Sequence, residues 1–271
     1  MVTSWLRRVR QDRRERALAE HAGRQPCPEE NIRPGECNIC GSEDGFCFSE
    51  AYHSRDNFTC RVCSCTARDR MLIKTLGECL GLLGALETWP TQALTLLETS
   101  GYRATPTRLA RKFRYINLMY ESSVRDGVRG DLSRLCLSDD SLDVVLSADV
   151  FEHVRDDESA WREVYRVLKP GGYLVLQVPA LGELESTEVR VEVRDGEDVH
   201  LMEPEFHAEN TLVYRKYGAD LLEKLSSLGF AVLHRRAAYR RHRIGEQSIV
   251  VAQKAPQLTM GPRDISERAW T

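Results

Sequence analysis

The chain has 271 residues, 42% of them hydrophobic and 29% charged, which suits one large domain or a medium domain with a small module. Its net charge of -3 gives no global basic field that would favour nucleic acid. No apolar run approaches the ~18 residues that span a bilayer, and the arginine-rich N-terminus lacks the apolar core of a secretory signal. We therefore expect a cytoplasmic protein whose nine cysteines are thiols or metal ligands rather than disulfides.

Composition changes along the chain predict five regions. Residues 1–25 read as a charged arm, either a solvated helix or an arginine-rich segment that touches an acidic partner. Residues 26–66 hold seven cysteines, and residues 67–90 read as a connecting helix that ends at a Trp-Pro pair. Residues 91–255 are predicted to form the main domain, followed by a flexible tail at 256–271.

The cysteine-rich region has the spacing of a four-thiolate zinc site. Two Cys-x2-Cys pairs are separated by nineteen residues, and the predicted ligands are Cys37, Cys40, Cys60 and Cys63. Four thiolates leave no open position on the metal, so the zinc is predicted to be structural and to brace the connecting helix. Cys65 offers a shifted register and is the one serious rival ligand. Cys27 and Cys47 are left without a role, and Cys79 and Cys136 are predicted to be core residues.

From residue 93 onwards, short apolar segments alternate with amphipathic ones. The predicted strands are 93–98, 114–120, 141–148, 173–179, 231–236 and 247–254. The predicted helices are 105–113, with Thr105 as N-cap, 156–168 and 218–230. This alternation predicts an α/β domain with a mostly parallel sheet covered on both faces. Its ligand should lie beyond the carboxyl ends of the strands.

Two segments carry a family resemblance: GDLSRLCLSDDSLDVVLSADVFEHV and WREVYRVLKPGGYLVLQVP. In their order and spacing they resemble the class I S-adenosylmethionine-dependent methyltransferases of the methyltransferase type 11-like group. The resemblance covers roughly residues 93–253 and implies a Rossmann-like, doubly wound, mostly parallel sheet. Here a small zinc-ribbon-like module would precede it. The segment 204–230 is similar to the late substrate-side insertion of some of these enzymes.

The resemblance implies a cofactor role for seven residues. The loop after the first strand would underlie the methionine part of S-adenosylmethionine, a further pair would lie at the adenine, and the loop after the third strand would line the sulfonium. These residues are Glu98, Ser100 and Gly101; Asp131 and Leu132; Ala148 and Asp149. The ribose would be held by Asn117 or Glu121. The first loop, LETSGYRA, has one glycine where the family usually has two or three, which predicts weakened or reshaped binding.

Methyl transfer to a hydroxyl or amine is helped by a general base. His153, on the loop after the third strand, and His207, in the late insertion, are the candidates, each against a purely structural alternative. Glu152 is expected to orient rather than to accept a proton. The expected function is methyl transfer to a small-molecule, glycan or natural-product acceptor, with no membrane or nucleic-acid partner.

Two alternatives stay open. In one, the zinc module reads RNA through Arg55, Arg61, Arg68, Arg70 and the arginines of the N-terminal arm. In the other, the chain is a non-catalytic binding protein whose altered turn has lost the cofactor. The sequence gives no oligomeric state.

Overall fold

The computed structural model describes residues 27–50, 55–102, 104–120, 127–207 and 211–256. The predicted arm at 1–25 and all but one residue of the predicted tail lie outside these ranges. No helix in the described ranges is long and apolar enough to cross a membrane.

The protein contains one large sheet and several small sheets formed by short strands within residues 32–60 and 188–216. The strands are Ile32–Arg33 (β1), Phe46–Cys47 (β2), Thr59–Cys60 (β3), Thr95–Thr99 (β4), Arg114–Met119 (β5), Val128–Arg129 (β6), Leu142–Ala148 (β7), Leu168–Gln177 (β8), Glu188–Val189 (β9), Val191–Arg194 (β10), Glu197–His200 (β11), Phe206–His207 (β12), Thr211–Leu212 (β13), Arg215–Lys216 (β14), Phe230–Tyr239 (β15) and Ile244–Lys254 (β16). The α-helices are Ala67–Leu80 (α1), Pro106–Leu109 (α2), Asp157–Val167 (α3) and Asp220–Ser227 (α4). Short 3₁₀ turns lie at Glu29–Asn31, Leu86–Thr88, Phe151–His153 and Arg240–His242.

The large sheet has seven strands in the order β15-β16-β8-β7-β4-β5-β6. Strands β6, β5, β4, β7 and β8 run parallel, and β16 is antiparallel to both β8 and β15. The predicted Rossmann-like α/β fold is therefore confirmed. The strand order reverses between β4 and β7, and such a switch point opens a ligand crevice at the carboxyl ends of those strands.

Trp161 and Val164, from the apolar stripe predicted for helix α3, are completely buried against the sheet, as is Val167. Tyr165 of the same stripe is half-buried, and Leu168 belongs to β8. Trp161 also stacks on Phe151, with ring centroids 3.6 Å apart. The helix ends at Val167, one residue before its predicted end, and β8 begins earlier than predicted: Leu168 already pairs with Leu142, and the ladder shifts register before Tyr173. The Pro-Gly-Gly turn is thus an irregularity at the beginning of a strand rather than a loop before it.

The cysteine-rich region packs on α1 and on the closing hairpin through Arg70, a fully buried cation. Its guanidinium donates to the carbonyl oxygens of Phe58 at 2.7 Å and Cys65 at 3.0 Å on one side. On the other side it donates to those of His242 at 2.8 Å and Arg243 at 3.1 Å. One side chain therefore joins three parts of the chain that lie up to 173 residues apart.

Four predictions about this half of the chain are wrong. Helix α1 ends at Leu80 because Gly81 adopts the left-handed conformation and caps it. Thr105 does not cap α2; its hydroxyl is used elsewhere. Cys27 and Cys47 form a disulfide, whereas reduced thiols were expected. Cys136 is exposed, not a core residue.

Candidate active site

The turn after β4 is built around the buried carboxylate of Glu98. Thr105 donates to its Oε1 atom at 2.8 Å, and the Tyr115 hydroxyl donates to its Oε2 atom. Burial raises the pKa of Glu98 to about 7, against the two hydrogen bonds, which lower it. A side chain at Gly101 would overlap the Oε2 atom of Glu98, because an added Cβ would lie within its contact distance. The single glycine is therefore required by close packing against the carboxylate.

Asn117 holds the same turn from β5. Its Oδ1 atom accepts from the Gly101 amide at 2.9 Å, and its Nδ2 atom donates to the Gly101 carbonyl at 2.8 Å. Ser100 takes a positive φ of 53°, so it supplies the left-handed position that a second glycine would otherwise occupy. Asn117 thus supports the turn, and Glu121, the other ribose candidate, lies outside the described residues.

The remaining predicted cofactor residues also follow carboxyl ends of parallel strands. Asp131 is exposed after β6, and its Oδ1 atom accepts from the amide and the hydroxyl of Ser133, each at 2.8 Å. Leu132, beside it, is buried. Ala148 ends β7 and is half-buried. The exposed Asp131 carboxylate and the buried Leu132 therefore lie at the same edge of the sheet as the turn after β4.

Asp149 has partners that the sequence did not indicate. Its Oδ1 atom accepts from Arg55 at 2.8 Å, and its Oδ2 atom accepts from Arg68. Arg68 also pairs with Asp56 at 3.1 Å. Both arginines come from the region around the second cysteine pair, so that region reaches the carboxyl end of β7.

The N-terminal arginines of the RNA alternative lie outside the described residues, and most of its other arginines are engaged inside the protein. Arg55 and Arg68 bind Asp149, and Arg70 is completely buried. Arg61 is exposed and donates to the Asp44 carbonyl at 3.0 Å. Phosphate binding needs exposed cations, and three of these four are committed to internal contacts.

The two catalytic candidates lie next to each other. His153 Nε2 and His207 Nδ1 are 3.3 Å apart, although 54 residues separate them in the chain. The His153 Nδ1 atom lies 2.8 Å from the Leu212 carbonyl, and burial lowers the pKa of this ring. Glu152 lies beside them, with its Oε1 atom 3.8 Å from His153 Nε2. Burial, and then the charge of Asp149, raises the pKa of Glu152 to about 8.

The four predicted cysteine ligands converge in the cysteine-rich region. Their Sγ atoms lie within 4.8 Å of one another, with Cys37 to Cys63 at 3.8 Å and Cys40 to Cys60 at 3.7 Å. A tetrahedral Zn²⁺ with Zn–S bonds of about 2.3 Å has sulfur–sulfur edges of about 3.8 Å. Cys65 Sγ is 3.4 Å from Cys37 Sγ, and it also lies 3.5 Å from the Arg70 guanidinium. The sulfur of Cys65, the rival ligand, therefore lies next to the sulfurs of the four predicted ligands.

Comparison with known proteins matches the central part of the chain to one protein family. A family model described as "Methyltransferase domain" matches residues 92–176. This segment is therefore similar to the methyltransferase-domain family. It contains β4, β5, β7, α3 and nearly all of β8, so the resemblance seen in the sequence is confirmed there.

Two curated relatives match shorter segments. An arsenite methyltransferase of Aquipseudomonas alcaligenes is 43% identical over 65 residues, which cover 24% of this chain and 18% of the relative. A probable S-adenosylmethionine-dependent methyltransferase of Mycolicibacterium smegmatis is 33% identical over 103 residues, 38% of this chain and 34% of the relative. The chain thus spans about a third or less of the length of these relatives.

Among solved structures, one similar chain is a 1,6-didemethyltoxoflavin N1-methyltransferase of Burkholderia thailandensis, with bound substrate and S-adenosylhomocysteine. It has 16% identity and a TM-score of 0.45, over 69% of this chain and 77% of that one. A second is the complex of the Haloferax volcanii Trm112 methyltransferase activator with a putative methyltransferase. It has 18% identity and a TM-score of 0.44, over 70% and 93% of the two chains.

Proposed function

We propose that the chain is an S-adenosylmethionine-dependent methyltransferase acting on a hydroxyl or amine of a small-molecule, glycan or natural-product acceptor. The observation that carries the proposal is the methyltransferase-domain match over residues 92–176, combined with a histidine pair at the carboxyl end of β7. The few unpaired arginines of the cysteine-rich region favour such an acceptor over RNA.

The residues at the switch point fit S-adenosylmethionine. The cofactor carries no phosphate, so the turn needs no nest of amides for an anion. The turn from Glu98 to Gly101 would hold the methionine part, and the exposed Asp131 carboxylate would accept from the adenine amine, with Leu132 against the ring. Ala148 and Asp149 would border the sulfonium. When bound, the cofactor supplies an electrophilic methyl group.

The chain's own part in the reaction is to hold the acceptor and to receive its proton. Positioning an acceptor atom about 3 Å from a reacting carbon can supply most of the rate enhancement of such a transfer. His153 and His207 stand at the switch point, and the 39% exposure of the His207 side chain leaves the pair open to an acceptor. The acceptor's hydroxyl or amine would bind at this pair and lose its proton there.

We propose that the cysteine cluster binds a zinc ion with a structural role. Cys37, Cys40, Cys60 and Cys63 would hold one Zn²⁺ in a closed four-sulfur shell, as their spacing supports. The ion would brace the cysteine-rich module (26–66) against the connecting helix and the methyltransferase domain (91–255).

The test is calorimetric titration of the full chain with S-adenosylmethionine and S-adenosylhomocysteine. Binding by the wild-type protein that is weakened at least tenfold in Asp131→Asn supports the proposed crevice. Asp139→Asn is the matched control, because this exposed aspartate precedes β7 at the opposite edge of the sheet. If folded, zinc-loaded protein binds neither compound, the non-catalytic alternative replaces the proposal. If it binds them, a radiolabelled methyl-transfer screen of hydroxyl and amine acceptors follows.

A further inference from the structure

Three potential ligands converge behind the carboxyl end of β7. A carboxylate oxygen of Glu152, a ring nitrogen of His153 and a ring nitrogen of His207 all lie within 4.8 Å of one another. Two of these residues belong to the 3₁₀ turn at Phe151–His153, whereas His207 comes from β12 in the late insertion. The group therefore exists only because the insertion folds back over the turn.

The hydrogen bonds of the two histidines determine which nitrogens carry lone pairs. A backbone carbonyl only accepts, so the His153 Nδ1 atom, 2.8 Å from the Leu212 oxygen, carries the hydrogen and Nε2 is bare in the neutral ring. His207 Nε2 lies 3.4 Å from Glu205 Oε1, and in the tautomer that directs its hydrogen to that carboxylate Nδ1 is bare. Two bare nitrogens then face each other at 3.3 Å.

Glu152 adds a third acceptor to the same point. Its side chain is 1% exposed, and neither of its oxygens has a hydrogen-bond partner among the described residues. Leaving a buried polar group without a partner is costly, and more so if it is charged. Two ring nitrogens 3.3 Å apart and a buried carboxyl group with no hydrogen-bond partner among the described residues face one point, which fits a metal cation.

We propose that Glu152, His153 and His207 bind a divalent first-row transition-metal ion, of which Zn²⁺ is the type case. Imidazole suits Zn²⁺ and its neighbours, whereas Mg²⁺ and Ca²⁺ prefer oxygen ligands only. Two histidines and one glutamate are a known catalytic zinc set that leaves a coordination position open. Metal-bound histidines usually donate their other N–H to a carbonyl or a carboxylate, as the contacts of His153 with Leu212 and of His207 with Glu205 allow here.

This site is separate from the four-sulfur cluster in both its ligands and its coordination. The cysteines close their shell, but three protein ligands leave the second ion open on the half-exposed His207 side. With the metal bound, the two histidines would act as ligands instead of as a general base. The metal would bind the acceptor's hydroxyl oxygen and lower its pKa, so that the proton leaves to solvent before the oxygen is methylated. This last step rests on the proposed function, whereas metal binding itself does not.

The experiment counts metal in the full chain. Protein is equilibrated with Zn²⁺, freed of loosely bound ion and analysed by mass spectrometry for moles of zinc per mole of chain. We expect Glu152→Gln and His207→Ala each to hold one equivalent fewer than the wild type. His200→Ala, which removes an exposed histidine from the neighbouring β11, should keep the wild-type content. Equal zinc content in all four proteins would overturn the proposal.

A second measurement tests the hydrogen-bond argument. Zinc affinity is determined by competition with a chromophoric chelator, and Glu205→Gln should weaken the second site about 10- to 100-fold while leaving the first unchanged. Unchanged affinity in Glu205→Gln would contradict the assigned role of His207. Circular dichroism checks that each variant is folded.

Calorimetry with S-adenosylmethionine on the same samples separates this inference from the proposed function. Cofactor binding with no second zinc equivalent overturns the metal site alone. A second equivalent without cofactor binding supports the metal site and overturns the methyltransferase proposal alone.

Discussion

The ionisation of Glu98 should make the stability of the protein depend on pH. Glu98 is 5% exposed, and burial raises the pKa of its carboxyl group from 4.5 in the unfolded chain to about 7 in the folded state. Between these two values the folded chain binds more protons than the unfolded chain. The stabilisation is therefore complete below pH 4.5 and is lost as the pH rises through about 7.

The size of this effect follows from the two pKa values. At about 1.4 kcal/mol per pH unit, the difference between 4.5 and about 7 corresponds to about 3 kcal/mol of unfolding free energy. Glu98→Gln removes the titration but keeps the side-chain volume. The wild-type protein should therefore lose about 3 kcal/mol relative to Glu98→Gln between pH 4.5 and pH 8.

The assay is urea unfolding of both proteins at half-unit intervals of pH. The difference between them isolates Glu98, because the other titrating groups are common to both. Glu246→Gln, at an exposed carboxylate, should follow the wild-type profile. Tyr115→Phe removes a hydrogen bond that lowers the pKa of Glu98. The pKa should therefore rise further, and the fall in stability should extend to higher pH. Parallel profiles for wild type and Glu98→Gln would refute the reasoning.

Three further predictions concern packing and metal. Gly101→Ala should lower the free energy of unfolding by about 1–3 kcal/mol, because the added Cβ would overlap the buried Glu98 carboxylate. The control Gly245→Ala should change it by no more than about 0.5 kcal/mol, because no atom lies within 4 Å of a Cβ added there. Chelation of zinc or Cys60→Ser should lower the thermal unfolding midpoint, whereas Cys136→Ser, at an exposed thiol, should not. Arg70→Met should cost about 3 kcal/mol or more in urea unfolding, because four backbone carbonyls lose their donor.

The sequence predicted the parts of the fold that local periodicity specifies. Strand β7 is an almost continuous apolar run, which is typical of a strand buried on both faces. Helix α3 places its apolar residues three and four apart, and those residues are the ones in the core. The two cysteine pairs stood out in the sequence because the spacing within each Cys-x2-Cys pair is itself local, and the four sulfurs do converge.

Contacts between distant segments were not predictable in this way. Arg55 and Arg68 meet Asp149 across 94 and 81 residues, and no pattern in the sequence pairs them. His153 and His207 were each named as candidates, but their contact depends on how the late insertion folds. Thr105 was mistaken for a cap because its true partner, Glu98, lies on the preceding strand.

The Asp149 contacts suggest why a cysteine module precedes this domain. Asp149 and Glu152 stand three residues apart at the end of β7, and two uncompensated carboxylates there would repel each other. Arg55 and Arg68 neutralise Asp149 from the module side, which leaves Glu152 as the carboxylate that faces the histidines. A zinc ion held by the four cysteines would fix the module and the adjoining start of α1, and with them Arg55 and Arg68. Its effect on the site is therefore expected to be electrostatic and exerted through Asp149, without any contact between zinc and substrate.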